Sequence, residues 1–103
     1  MSESVLPSKQ KPDATMIYRY VLPVDDQPHS LILPGPILSW GCRRRNEVEL
    51  WTWAGRPGDT EAVRDFWVVG TGQFIPDGPH FEHRATVVSP DQRLVWHILE
   101  MMI

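Results

Sequence analysis

The sequence predicts a small, nearly all-β domain, and three observations favour that class. Short runs of Val, Ile, Leu, Trp and Tyr are separated by Pro, Gly, Asp and Asn at intervals of about 8–12 residues, which is typical of antiparallel sandwiches and barrels. Ten prolines disfavour long helices, because each lacks an amide donor and fixes φ. Five tryptophans, three phenylalanines and two tyrosines give a chain of 103 residues enough apolar surface for one core.

The strand pattern recurs along the chain, and we expect about seven strands in an antiparallel β-sandwich or a partly closed barrel. Turn-forming residues separate most of the runs, and Arg44-Arg45-Asn46 predicts a tight hairpin. The candidate strands are Met16–Leu22, Ser30–Leu33, Pro36–Arg43, Glu47–Ala54, Arg64–Gly70, Phe81–Val88 and Arg93–Glu100.

Two of the candidate strands show their faces clearly. In Glu47–Ala54, Val48 and Leu50 fall on one side, whereas Glu49, Trp51 and Trp53 fall on the other. Two expectations follow for the indoles: they are partly exposed as binding anchors, or this face is covered by the second sheet, by the leader or by another subunit. The run Arg93–Glu100 is apolar on both faces, which predicts a central strand.

One segment departs from the all-β pattern. Asp59 or Thr60 has the chemistry of a helix cap, and the following residues allow a turn of helix as far as Arg64. The prediction is therefore at most one short helical turn within residues 59–66.

The two ends of the chain differ in pattern. Residues 1–15 show almost no apolar periodicity and predict a flexible leader, followed by a single β domain over residues 16–103. The leader lacks the apolar run of a signal peptide, and no stretch approaches the roughly 20 apolar residues of a membrane helix. We expect an unexported, soluble protein.

Charge and cysteine content exclude several classes of protein. Thirteen acidic and ten basic residues give a formal charge of −3, so no bulk attraction to nucleic acid or to an anionic membrane is expected. Cys42 is the single cysteine, which excludes an intramolecular disulfide and a zinc site of several cysteines. Its place on an apolar run predicts a packing residue.

A set of short motifs occurs in a fixed order between Met16 and Glu100. The motifs are Ile17-Tyr18-Arg19-Tyr20, Leu31-Ile32-Leu33-Pro34-Gly35, Leu50-Trp51-Thr52-Trp53-Ala54, Gly70-Thr71-Gly72-Gln73 with Ile75-Pro76-Asp77, and Leu94-Val95-Trp96-His97-Ile98-Leu99-Glu100. This set resembles a family of small bacteriophage and prophage proteins of unknown function. The resemblance implies a β-rich domain of viral or prophage origin in the cytoplasm of a bacterial host, and it supplies no catalytic residues. Members often have His where this chain has Gln73, and often a Gly-Thr pair in the strand that here reads His83-Arg84-Ala85-Thr86.

The basic run Arg43, Arg44 and Arg45 is the first candidate binding site. It lies near Trp40, Trp51 and Trp53 in the sequence, and arginine beside aromatic rings is a combination used for stacking and for phosphate recognition. The alternative is a solvated hairpin tip whose charge is balanced by Glu47 and Glu49.

The segment Gly70, Thr71, Gly72 and Gln73 is the second candidate. Its backbone N–H groups are suited to an anion, as in other glycine-rich loops. It lacks the lysine of a P-loop, and the Phe74-Ile75-Pro76 run that follows cannot begin a long helix. A purely structural turn or bulge is the alternative.

Catalytic and metal-binding patterns are weak. His80 and His83 are three residues apart, so a strand would place them on opposite faces and no metal site is expected. No local signature of a nucleophile surrounds Ser30, Ser39 or Cys42. We expect no cofactor and no catalytic residues.

These observations lead to one functional expectation with two alternatives. The expected function is that of a phage-type accessory protein that binds a host protein without covalent chemistry, modulating a host factor or a defence system. A homo-oligomer through the aromatic face is compatible with it. One alternative is a protein that sequesters a nucleotide-like signalling ligand, and the other is a small hydrolase using a histidine and a carboxylate.

Overall fold

The computed structural model describes residues 15–55 and 59–102, and these residues form two antiparallel sheets with no helix. The order of strands is β1-β4-β3 in the three-stranded sheet and β2-β5-β7-β6 in the four-stranded sheet. Residues 1–14 of the predicted leader lie outside the described part. The strands are β1 (Ile17–Pro23), β2 (His29–Leu33), β3 (Ile37–Arg44), β4 (Glu47–Trp53), β5 (Ala62–Gly70), β6 (His80–Val88) and β7 (Val95–Met102).

The predicted class and strand content are confirmed. Every predicted strand is present, with bounds that differ by at most two residues. Of the two predicted architectures the chain adopts the sandwich, since neither sheet closes into a barrel. Strand β7 lies between β5 and β6, as its two apolar faces predict.

The helical turn that the sequence allowed after Asp59 does not form, which agrees with the prediction of at most one such turn. Ala62 and Val63 already belong to β5, where they lie opposite Leu33 and Ile32 of β2. The physical reason is the neighbouring strand: β2 supplies backbone partners for this segment, and the branched side chain of Val63 suits a strand better than a helix. Pairing across the sheet thus outweighs the local capping signal.

The core lies between the sheets, and its fully buried residues come from all strands except β3, which contributes partly buried residues. Trp40 of β3 packs edge-on against Phe66, with ring centroids 5.3 Å apart and planes at 75°. This contact joins the two sheets through aromatic surface. The buried members of the core are Leu22, Leu33, Val48, Leu50, Phe66, Val68, Val87 and Ile98.

Loops at one end of the sandwich tie the sheets together by polar contacts. The indole Nε1 of Trp96 donates to the carbonyl oxygen of Arg45 at 3.0 Å. The Nε2 of Gln73 donates to Oδ1 of Asp26 at 2.6 Å. Both Arg45 and the glycine-rich loop therefore lie at this end. Within residues 15–55 and 59–102, no helix is long and apolar enough to cross a membrane.

Candidate binding face on the three-stranded sheet

The outer surface of the three-stranded sheet combines aromatic and charged side chains. The alternation along β4 turns Leu50 to the core and turns Glu49, Trp51 and Trp53 to the other side. Trp53 is 40% exposed, and Trp51 is half-buried. We use the term tryptophan face for the surface formed by Arg19, Arg43, Glu49, Trp51 and Trp53.

Trp51 lies flat across the neighbouring strand because that strand has a glycine at the crossing point. A Cβ built on Gly41 would stand 3.2 Å from Cζ3 and 3.3 Å from Cη2 of the Trp51 ring. Any larger residue would displace the indole. Gly41 therefore fixes how far the ring settles onto the sheet.

Glu49 is the electrostatic centre of the tryptophan face, and it is only 1% exposed. Arg43 donates from Nε to Oε2 at 2.7 Å and from Nη2 to Oε1 at 2.9 Å, and Arg19 donates from Nε to Oε1. The hydrogen bonds from Arg43, joined by those from Arg19, lower the pKa of Glu49 to about 2 against the opposing effect of burial. Glu49 is ionised at neutral pH.

The two arginines stay partly in solvent although they share a buried carboxylate. Their side chains are 43% exposed for Arg19 and 66% for Arg43. The register of β3 against β4 shifts between Gly41 and Arg44, so β3 carries one extra residue within the segment Cys42-Arg43. Two positive groups over one negative group leave this cluster with an excess of one positive charge.

The predicted arginine run is dispersed by the fold. Arg43 joins the tryptophan face, whereas Arg44 stands 3.9 Å from Glu47 and Arg45 stands 3.5 Å from Asp91 at the loop end. Such exposed pairs contribute little to stability. The expectation that Glu47 and Glu49 balance the hairpin charges matches this geometry for Arg43 and Arg44.

Trp40 does not take part in the tryptophan face. Its ring packs against Phe66 at the core. The sequence predicts that Trp40 forms a binding surface with the arginines, and this position separates it from them. Cys42 also packs against the core, and its thiol donates to the carbonyl of Arg44 at 3.0 Å. Burial raises the pKa of the Cys42 thiol, which keeps it protonated.

The glycine-rich loop closes on itself. The amide of Gln73 donates to the carbonyl of Gly70 at 3.2 Å, and the amide of Gly70 donates to Oε1 of Gln73 at 3.0 Å. Gly72 has a φ of +86°, a conformation that favours glycine. Two of the amides considered for an anion are thus used within the loop, and anion binding by Gly70, Thr71, Gly72 and Gln73 stays a prediction.

A chain of hydrogen bonds between threonines and histidines lies beside that loop, on the outer side of the four-stranded sheet. Nε2 of His97 is 2.7 Å from Oγ1 of Thr71, and Nδ1 of His97 is 3.0 Å from Oγ1 of Thr86. The same Thr86 oxygen is 2.8 Å from Nε2 of His83. In the described ranges, no group of three or more His, Cys, Asp or Glu side chains is placed to hold a metal ion.

Two cavities lie at the opposite end of the sandwich from these loops. One of about 360 Å³ lies between the Pro34-Gly35-Pro36 corner and Arg64. The other, of about 300 Å³, has Trp53 in its wall. Neither is lined by Arg43, Arg44 or Arg45, so neither brings those arginines and a tryptophan together.

Sequence reasoning missed Arg19, which completes the tryptophan face. It lies 30 positions before Glu49, and only the pairing of β1 with β4, with Arg19 opposite Trp51, brings it there. The alternation in Ile17-Tyr18-Arg19-Tyr20 does show that Arg19 and the tyrosines face opposite sides. The missing information was which strand lies next to β1.

The chain matches a known protein family over most of its length. The family described as a domain of unknown function, DUF7352, matches residues 14–102. The chain belongs to this family. The curated proteins and the solved structures gave no match. The description of the DUF7352 family names no activity.

Proposed function

We propose that this DUF7352 domain is a phage-type accessory protein that binds a host protein in the bacterial cytoplasm, with the tryptophan face as the contact surface. The observation that carries the proposal is the combination of Trp51, Trp53, Arg19 and Arg43 on one exposed side of a rigid sheet. Tryptophan and arginine are the residue types that contribute most to protein interfaces. The phage and host setting is supported by the resemblance of the motifs between Met16 and Glu100.

The geometry supports binding over a purely structural role for this face. Trp53 keeps 40% of its surface in solvent, and the two arginines are held by Glu49 without being covered. Side chains that are already ordered lose little conformational entropy when a partner docks. The tryptophan face is therefore prepared for contact.

The experiment compares capture of proteins from a bacterial lysate by the wild-type chain, by Trp53→Ala and by Phe74→Ala. Phe74 is 96% exposed on the loop after β5 and is a matched control for the loss of an apolar surface residue. We expect a host protein that is retained by the wild type and by Phe74→Ala but lost from Trp53→Ala. Equal retention by all three folded chains would contradict the proposal.

Two further measurements distinguish a host protein from the chain itself or a nucleotide-like ligand as the partner. In native mass measurement of the captured species, a dimer of the chain that depends on Trp53 would indicate self-association through the same face. A rise in melting temperature with added nucleotides, abolished by Arg43→Gln, would favour the ligand-sequestering alternative by mass action.

A small hydrolase is the second candidate, and one contact favours it. Oγ1 of Thr71 is 2.7 Å from Nε2 of His97, a distance that suits a nucleophile and its base. Nδ1 of His97 is 3.0 Å from Oγ1 of Thr86, a contact that would orient the imidazole. The predicted carboxylate is replaced here by a threonine hydroxyl. Faster hydrolysis of p-nitrophenyl acetate by the wild type than by Thr71→Ala would support this candidate, and equal rates would remove it.

A further inference from the structure

The charge distribution on the tryptophan face distinguishes it from the rest of the sheet surface. Glu49 neutralises one of the two arginines bonded to it, and Arg44 is balanced by Glu47 at 3.9 Å. One positive charge is left at the centre of the face, next to two indoles. That charge has no counter-ion among the described side chains of the cluster.

We propose that the element of the partner that docks here is a protein segment carrying an aspartate or glutamate, whose carboxylate lies between Arg19 and Arg43. This inference rests on the proposed function and adds the chemistry of the partner. The indoles of Trp51 and Trp53 contact the apolar residues that flank that carboxylate.

Free donors on the arginines point to a carboxylate. A guanidinium has five N–H groups, and Arg43 uses Nε and Nη2 for Glu49, which leaves the hydrogens of Nη1 and one of Nη2. Arg19 uses its Nε, which leaves both terminal nitrogens. These unused groups are suited to a second, bidentate carboxylate. Glu49 already receives donors on both oxygens, so it acts as a buried counter-ion that holds the two guanidinium groups together.

The single excess positive charge of the tryptophan face favours a protein over a nucleic acid as the partner. Affinity for nucleic acid grows with the number of phosphates that are neutralised, and a single excess charge supports very little of it. The formal charge of −3 on the whole chain opposes a polyanion further. One acidic group within an apolar surround matches a protein segment.

The test uses a library of random 12-residue peptides fused to a carrier protein and selected on the wild-type chain. Binding of the selected peptides, resynthesised with a fluorophore, is measured by anisotropy. We expect an acidic residue in the binders and a loss of about tenfold or more in affinity when it is changed to its amide. Arg43→Gln should give a similar loss, whereas Arg93→Gln, the same charge change in the turn before β7, should give none.

The outcomes separate this inference from the proposed function. Binders that need Trp53 but neither an acidic residue nor Arg43 would overturn the inference and leave the proposed function standing. Selection of no peptide that depends on Trp53 would count against both. Binding of a 20-nucleotide RNA that is lost in Arg43→Gln would also overturn the inference. Arg19→Gln is measured in parallel, so that the test holds if Arg43→Gln fails to fold.

Discussion

Two buried glutamates, each bonded to two arginines, occupy contrasting places in the sandwich. Glu49 lies on the outer side of the three-stranded sheet, whereas Glu100 lies on the core side of the four-stranded sheet, opposite Phe66. Arg64 donates to the Glu100 carboxylate at 2.8 and 2.7 Å, and Arg84 donates to it at 2.8 Å. The same set of groups is thus used twice, in two different surroundings.

The surroundings decide what each cluster does. Arg64 and Arg84 are 26% and 31% exposed, Arg64 stacks over the Phe66 ring at 5.5 Å, and Glu82 stands 3.4 Å from Arg84. With Glu82 included, two positive and two negative groups cancel. The cluster at Glu100 closes one end of the core as a neutral unit. The cluster at Glu49 keeps its excess charge exposed, which is a property of a binding surface.

The largest effect is expected from Glu100→Gln. This change leaves the partly buried Arg64 without a carboxylate and leaves Arg84 with only Glu82 at 3.4 Å. Breaking such an arrangement should lower the free energy of unfolding by about 3 kcal/mol. Urea denaturation followed by tryptophan fluorescence measures it. If Glu100→Gln lowered the free energy of unfolding less than Glu49→Gln does, the Glu100 cluster would not be the one that stabilises the fold.

A smaller effect on stability is expected from Glu49→Gln. The free energy of unfolding should fall by about 1–2 kcal/mol, because Arg19 and Arg43 can be hydrated where they stand. The same variant should weaken peptide binding at the tryptophan face, since the guanidinium groups lose their anchor. Glu100→Gln, measured where it remains folded, should bind as the wild type does. Weaker peptide binding by Glu100→Gln with unchanged binding by Glu49→Gln would contradict the assignment of binding to the Glu49 cluster and stability to the Glu100 cluster.

The sequence contained most of the fold and all of the tryptophan face except Arg19. Alternation placed Val48 and Leu50 inside and Trp51 and Trp53 outside, because strand periodicity is a local property. Arg19 and the turn of Trp40 into the core were missed, since both depend on which strands are neighbours. Pairing with β2 overrode the capping signal of the segment after Asp59 for the same reason. Long-range pairing is the information that a single sequence did not supply.

Acid should destabilise the protein partly through Glu49. Its pKa is lowered from 4.5 to about 2 in the folded chain by its arginines, so its contribution to stability is complete above pH 4.5 and is lost as the pH falls toward 2. Bonding to Arg64 also lowers the pKa of Glu100, which adds loss in the same direction. Urea denaturation at pH 7, 4.5 and 3 should show a shallower decline for Glu49→Gln than for the wild type. Identical declines would mean that Glu49 titrates normally.

The smallest effect is expected from Gly41→Ala, which changes the contact between β3 and the Trp51 ring. The new Cβ would meet the Trp51 ring at 3.2 Å, whereas in the matched change Gly70→Ala the Cβ would meet the Trp96 ring at an ordinary 3.4 Å. Replacing a strand glycine by alanine reduces the entropy of the unfolded chain, which raises the free energy of unfolding by about 0.5–1 kcal/mol. Gly70→Ala should keep most of this gain. Gly41→Ala should lose it, because the new Cβ crowds the Trp51 ring.

Denaturation of both variants measures this difference, and the indole N–H resonance of Trp51 should shift only in Gly41→Ala. An unchanged resonance would show that the ring does not rest on Gly41. The side chains of the tryptophan face would then be less ordered than those of the Glu100 cluster, where Arg64 lies over Phe66. The proposed binding at this face would then cost more conformational entropy.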